Sequence, residues 1–335
     1  MASVGTAGFA LLLLPQLTAI ALESWGWKLA FRVIGRDLRF ATLLRVRLST
    51  EALAQSLPLG VAFAESVKPL LLRRHAGVPA AESVAGMAAR KYLLLFSQSL
   101  YVLALGALGF AGLQAASAAT IGAAGLGVIT IATGAVFLLM ALGMACALRN
   151  SGVARGALSW LRHVPLAQLQ RWLAERERAF TATDTAVSGY FRAPVRRSLA
   201  PAVFFLAAWW VESIETYLIL RALGVEASFL TLASLEVVLC IVRNVAFVVP
   251  AGLGVQDLGY VALLAALGVP DAASLGAAFV LMKRGKELFW IAAGYLLLLA
   301  DAAASAGGLG SLRASGVWRR FRRMPDARRV LGPGW

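Results

Sequence analysis

Residues 235–267 read LEVVLCIVRNVAFVVPAGLGVQDLGYVALLAAL, and this stretch decides the fold. It is apolar enough to enter a lipid bilayer, but Pro250-Ala251-Gly252-Leu253-Gly254 breaks it in two. Each half falls short of the roughly 20 residues that a helix needs to cross a ~30 Å hydrocarbon core. Proline and glycine free backbone groups that lipid cannot satisfy, so such a break must be shielded by protein. The stretch therefore predicts a helical hairpin that enters the membrane part-way and returns. Residues 43–67, broken by Pro58-Leu59-Gly60, predict a second one. An ordinary kinked helix is the alternative at both places.

The surrounding sequence supplies full crossings. Residues 1–22 carry no charged side chain, and neither do the 57 residues between Lys91 and Arg149. The long run is enough for two antiparallel spans with a turn near residues 112–117. Residues 198–220 and 272–300 add two more, which gives about five full spans. The chain of 335 residues is 60% hydrophobic and 15% charged, with a mean hydropathy of +0.76. Soluble domains carry about 25% charged residues, so this composition excludes a water-soluble enzyme. The fold expected is all-α and polytopic, with about five spans plus two re-entrant hairpins.

The net charge of +15 fits cytoplasmic loops facing anionic lipid rather than nucleic acid, because no basic run is interleaved with aromatics. Residues 24–47, 66–91, 149–197 and 302–335 hold 27 of the 32 Lys and Arg. The turns near 112–117, 224–228 and 268–272 hold none. This places the N-terminus in the periplasm and the C-terminus in the cytoplasm of a bacterial inner membrane. Four regions follow: 1–148, a first membrane repeat with an extra span; 149–197, a basic cytoplasmic connector; 198–301, a second membrane repeat; and 302–335, a basic tail. Within the connector, Trp160, Leu161, Leu166, Leu169, Trp172 and Leu173 recur opposite Arg162, Arg171, Arg176 and Arg178. That pattern suits a helix lying on an anionic leaflet, or a solvated connector.

The word "repeat" rests on four matches in order. Glu23-Ser24, Arg32 and Gly35 match Glu212-Ser213, Arg221 and Gly224 at an offset of 189. Pro58-x-Gly60 and Glu65 match Pro250-x-Gly252 and Asp257 at 192; Gly77-Val78-Pro79 recurs as Gly268-Val269-Pro270; and Arg90-Lys91 recurs as Lys283-Arg284. With one copy starting outside and the other inside, the repeats are inverted. Inverted repeats with broken helices near the midplane are the architecture of alternating-access transporters.

Charges within such spans cost at least about 2.5–3.5 kcal/mol each at the bilayer centre, so they must face a partner or a cavity. The candidate substrate-binding residues are Glu65, Arg90, Glu212, Arg243, Asn244, Asp257, Lys283, Arg284 and Glu287. Pro58, Gly60, Pro250, Gly252 and Gly254 shape the hairpins. Two basic pairs approaching the midplane from opposite leaflets suit an anionic headgroup. Internal pairing, such as Arg284 with Glu287 one turn away, is the competing account. No nucleophile or metal constellation is present: Cys146 and Cys240 lie in apolar runs, and His75 and His163 are the only histidines. No cofactor is expected.

The run Arg243-Asn244 through Pro250-Ala251-Gly252-Leu253-Gly254-Val255-Gln256-Asp257, with Gly268, Arg284 and Gly294, resembles the flippase-like family that contains the transmembrane region of bacterial lysylphosphatidylglycerol synthases. That family usually has Glu after the Gly-x-Gly, where this chain has Gln256-Asp257. Its length looks most like the stand-alone members found with hopanoid biosynthesis. The resemblance implies lipid translocation without the aminoacyl-transferring domain. The expected function is a non-enzymatic flippase moving an anionic or isoprenoid-derived (hopanoid-type) lipid, with membrane lipid as its partner, no nucleic acid, and homo-oligomer formation left open. A small-solute or ion transporter of the same architecture is the alternative, and a lipid-modifying membrane enzyme a weaker one.

Overall fold

Proline 58 ends one helix and starts the next. The chain leaves helix α2 (Phe40–Ser56) with Leu57 extended, turns through Leu59 at φ +52°, and enters α3 (Gly60–Ala76). Gly60 is required here by close approach: a Cβ would collide with the carbonyl groups of Leu53 and Ala54. The two helices pack against each other as an antiparallel hairpin. Each has 17 residues, about 25 Å of helix.

The computed structural model describes residues 6–150, 167–245 and 254–314, with a few single residues between 152 and 163. Eleven helices and no strands occur among the described residues. The others are α1 (Thr6–Val33), α4 (Ala80–Leu108), α5 (Phe110–Ile121), α6 (Leu126–Arg149), α7 (Ala167–Arg192), α8 (Arg196–Ala222), α9 (Phe229–Val245), α10 (Val255–Ala266) and α11 (Ala272–Ala314). Four of them, α4, α6, α8 and α11, are long and apolar enough to cross a membrane. The protein is an all-helical, multi-pass membrane protein.

Two expectations are corrected. The long charge-free run does not turn near residues 112–117. It is interrupted at Gly109, continues as the short α5, and reverses at residues 122–125 before α6. No residue of 112–117 takes a positive φ, and the stretch stays helical within α5. The real turn is built by Ser117, whose hydroxyl accepts the Gly125 and Leu126 amides at 3.0 and 3.4 Å, and by Gln114, which accepts the Gly127 amide at 3.1 Å. The connector, too, is more than a surface helix. The second half of α7 packs on α4 and α6 and buries Asp184, Val187, Ser188 and Tyr190. Trp160, Leu161, Arg162, Leu166, Pro250 and Gly252 lie outside the described residues, as do the side chains of Leu169, Arg171, Trp172, Leu173, Arg176 and Asn244.

Packing partners recur between the halves. The pairs α1–α2 and α8–α9, α3–α4 and α10–α11, α1–α4 and α8–α11, and α2–α11 and α9–α4 are all in contact. The most extensive interface joins α1 to α8. Around it, Trp27, Phe31, Leu43, Leu72, Leu93 and Phe205 form one fully buried core. The matched turns close alike: Gly35 and Gly224 have φ +83° and +86°, and Gly77 and Gly268 have +62° and +68°. In each, the amide after the glycine reaches back five or six residues to a helix carbonyl.

Candidate functional site

Helix α10 starts at Gly254, whose φ of +79° only glycine adopts without strain. Its amide donates to Asp257 Oδ2 at 3.0 Å, so the carboxylate three residues on caps the helix. The other oxygen of Asp257 accepts from Arg284 Nη2 at 2.6 Å and Nε at 3.2 Å. Arg284 also reaches Glu287 at 2.6 Å. The cap of the second hairpin is thereby fastened to α11, where Lys283 sits 11 residues from the start, about 16 Å along the helix.

The same turn of α11 feeds a deeper network. Glu236 on α9 is 1% exposed and accepts four hydrogen bonds. They come from the Thr216 hydroxyl at 2.6 Å, the Tyr260 hydroxyl at 2.9 Å, Lys283 Nζ at 3.2 Å and Arg243 Nη2 at 3.3 Å. Lys283 also donates to the Tyr260 hydroxyl at 2.6 Å. Arg243 reaches Glu212 on α8 at 3.4 Å. One carboxylate thus ties α8, α9, α10 and α11 together.

The first half holds a comparable network built from other residues. Glu23 on α1 accepts from Arg47 Nε at 2.9 Å and Arg90 Nη2 at 2.6 Å. Arg47 also pairs with Glu51. Glu65 on α3 meets Lys68 at 2.7 Å and Lys91 at 3.0 Å, with Arg90 at 4.0 Å. The Glu65–Lys91 pair occupies the position that Asp257–Arg284 holds in the other half.

The candidate residues of the sequence therefore fall into two groups rather than one. Glu65 and Arg90 belong to the first network; Glu212, Arg243, Asp257, Lys283, Arg284 and Glu287 belong to the second. All of them are engaged with opposite charges, so the internal pairing account holds for the geometry as it stands. The sequence reading missed Glu236, Tyr260 and Thr216 as network members, and Glu23, Arg47 and Lys68 in the first half. A signal existed for some: Glu23 and Glu212 were matched at equal spacing, and Tyr260 is the lone hydroxyl in an apolar helix.

A third polar contact closes the end of the bundle where the basic loops lie. The buried Asp301 of α11 accepts from Arg45 of α2 and meets His75 of α3 at 3.0 Å, while Arg74 donates to the Asp301 carbonyl. Nearby, a groove of about 920 Å³ runs between the end of α1, the start of α4 and α7, past Val33, Pro79, Glu82 and Thr185. At the opposite end, an apolar cavity of about 420 Å³ lies between the α5–α6 turn and Ala262, Leu263 and Ala266 of α10.

No curated protein and no solved structure matches the chain. Residues 2–306 match the family described as the lysylphosphatidylglycerol synthase TM region. That match takes in both networks, both hairpins and every described membrane helix, and the chain belongs to the lysylphosphatidylglycerol synthase transmembrane-region family.

Proposed function

We propose that this protein is a lipid translocator of the bacterial inner membrane, moving an anionic lipid between leaflets by alternating access, without enzymatic chemistry. In this reading the chain has five spans and two re-entrant hairpins. The matching packing partners and turns of the two halves support a repeat, and the one-sided distribution of Lys and Arg supports its inversion and a periplasmic N-terminus. The single observation that carries the reading is the charge of the first network. Among the described residues it sets Arg47, Lys68, Arg90 and Lys91 against Glu23, Glu51 and Glu65, an excess of one cation. Arg90 Nε is buried without an acceptor among the described residues, and the Lys91 side chain is 43% exposed. Leaving a buried guanidinium N–H unpaired costs free energy that an arriving phosphate oxygen recovers.

The second network has the opposite balance. Arg243, Lys283 and Arg284 face Glu212, Glu236, Asp257 and Glu287. The headgroup contact is therefore assigned to Arg90 and Lys91, and the hairpin of the second half serves as the moving, ion-paired counterpart. The groove beside α4 gives a route from the cytoplasmic surface, since Glu82 on its wall is eight residues, about 12 Å, from Arg90.

Reconstitution into vesicles containing tail-labelled phosphatidylglycerol tests this, with leaflet exchange read by chemical quenching of the outer leaflet. Exchange faster than in empty vesicles is expected. Exchange confined to a labelled hopanoid-type lipid would replace the anionic cargo by an isoprenoid one. Uptake of a solute with no lipid exchange would replace translocation by solute transport, and a changed headgroup would reveal an enzyme. Single cysteines at Glu226 and Asp271 should react with an impermeant thiol reagent from the periplasm, and one at Arg171 should not. The reverse pattern would overturn the inverted arrangement.

A further inference from the structure

At the α1–α8 interface the two halves differ in kind. Lys286 of α11 donates to Glu215 of α8 and to Gln16 of α1, the latter at 3.0 Å. Glu215 and Lys286 are 3% and 6% exposed. The spacing that matches Glu23 to Glu212 pairs Gly26 with Glu215, and Gln16 with Phe205; the spacing that matches Arg90 to Lys283 pairs Leu93 with Lys286. The structure respects this correspondence. A Cβ on Gly26 would strike the Phe205 ring, and Phe205 and Leu93 are fully buried in one core. The molecule thus contains its own control: the same packing position is filled on one side by glycine, leucine and phenylalanine, and on the other by a carboxylate, an ammonium and an amide.

Burying an ion pair is weak support for stability, and apolar replacements of similar volume are often neutral or better. In a membrane the desolvation penalty is heavier still. The polar triad is accordingly retained for something other than packing. Its net charge is zero, so it has no excess cation for an anionic headgroup. What a carboxylate can exchange, when it faces an ammonium that an amide oxygen also holds, is a proton.

We propose that Glu215 is the proton-carrying group that couples this transporter to the transmembrane proton gradient, an inference that rests on the translocator reading above. A proton arriving from the periplasm binds a Glu215 oxygen, and Lys286 loses its counter-charge. Holding only Gln16, the ammonium is driven toward water, which separates α11 from α8 and α1. Loss of the proton to the cytoplasm restores the pair. Several charged groups on the helices that pack against α8 and α11 are engaged elsewhere. On α8, Glu212 meets Arg243. On α11, Lys283 is held by Glu236 of α9, and Glu287 by Arg284. On α1, Glu23 is taken by Arg47 and Arg90, and Lys28 and Arg32 by Asp37. On α4, Tyr101 bonds Ser213 at 2.6 Å, and Lys91 meets Glu65.

Two measurements on the full-length protein in vesicles test this. The first is infrared difference spectroscopy between alkaline and acid conditions. The protonated-carboxyl absorbance should be smaller in Glu215→Gln than in the wild type by the share of one buried carboxyl; equal spectra overturn the assignment. The second follows tail-labelled phosphatidylglycerol under an imposed pH gradient. At one proton per lipid the wild type should shift the probe's leaflet ratio by about tenfold per pH unit. Glu215→Gln should keep exchange and lose the gradient response. If that variant is unstable, Glu215→Gln with Lys286→Gln removes both charges and should behave the same way. Exchange by the wild type that ignores the gradient sinks the coupling and leaves translocation standing. A Glu215 band with no lipid exchange does the opposite.

Discussion

The two hairpins solve one problem with different chemistry. In the first, α2 and α3 meet at Gly60, and their charges (Arg47, Glu51, Glu65, Lys68) form ion pairs with α1 and α4 that total one excess cation. In the second, α9 and α10 meet one almost fully buried carboxylate, Glu236, ringed by two hydroxyls and two cations. The first network has an exposed member, Lys91; the second is sealed at its centre. Two sequences of common spacing therefore end in different charge balances, one with an excess cation and one with a buried carboxylate that joins four helices. The ends of the hairpins differ too. Arg45, Arg74 and His75 fasten the first to Asp301, whereas α10 ends beside an apolar cavity. The contacts of the first half close the basic end of the bundle, and an apolar cavity of about 420 Å³ lies at the opposite end.

The sharpest way to break this contrast is Glu236→Ala. It strands Lys283 and Arg243 in a buried site, and removing one partner of such a pair costs about 3–5 kcal/mol. Thermal unfolding in detergent should show the loss, with Glu65→Gln milder because the amide oxygen of Gln can still accept from the buried Lys68 and Lys91 can turn to water. Equal losses would mean that the two networks carry the same structural load. Gly60→Leu comes next: with two carbonyls in the way, overpacking should cost about 1–3 kcal/mol. Gly254→Ala, strained only by its positive φ, should cost about 1–2 kcal/mol by the same measurement. If Gly60→Leu is the milder, the first turn is not held by close approach.

Function separates the halves by a smaller energy. Lys91→Gln should slow phosphatidylglycerol exchange about tenfold, equivalent to about 1.4 kcal/mol. Arg284→Gln, in the network with excess negative charge, should change exchange less than threefold once matched for folded protein. The opposite ranking would move the headgroup contact to the second half. Smallest of all, Asp301→Asn keeps the shape of the latch at Asp301 and weakens its ion pair with Arg45. A cysteine placed at Val67 on the adjoining α3 should then react faster with a thiol reagent from the cytoplasmic side, and an unchanged rate would show that the latch does not gate access.

Much of this was legible because membrane solvent imposes blunt rules. Runs without charge and Pro-Gly breaks set the helical class and the place where α2 turns into α3, since lipid tolerates neither unpaired backbone nor stray charge. The family resemblance, too, was carried by residues 243–257 and their glycines. The turn after α5 was misplaced because its determinants, Ser117 and Gln114, act across 8 to 13 residues on amides with no marker of their own. Likewise, Lys28, Arg45 and Arg47 read as loop charges, although Arg47 lies in the first network and Arg45 holds Asp301 256 residues away.

Sequence alone determined which residues must avoid lipid. It could not determine whom they meet, because a charge in a membrane is satisfied equally by a ligand, a cavity or any opposite charge within reach. The tertiary structure decided that: it paired Arg284 with Asp257 as well as Glu287, gathered four donors on Glu236, left Arg90 Nε without an acceptor among the described residues, and set Glu215 and Lys286 where the other half has Gly26 and Leu93. Spacing along a helix fixes a face to within one turn. Ion-pair partners across helices depend on crossing angles and on which small residues let two backbones approach, and those exist only once the helices are packed.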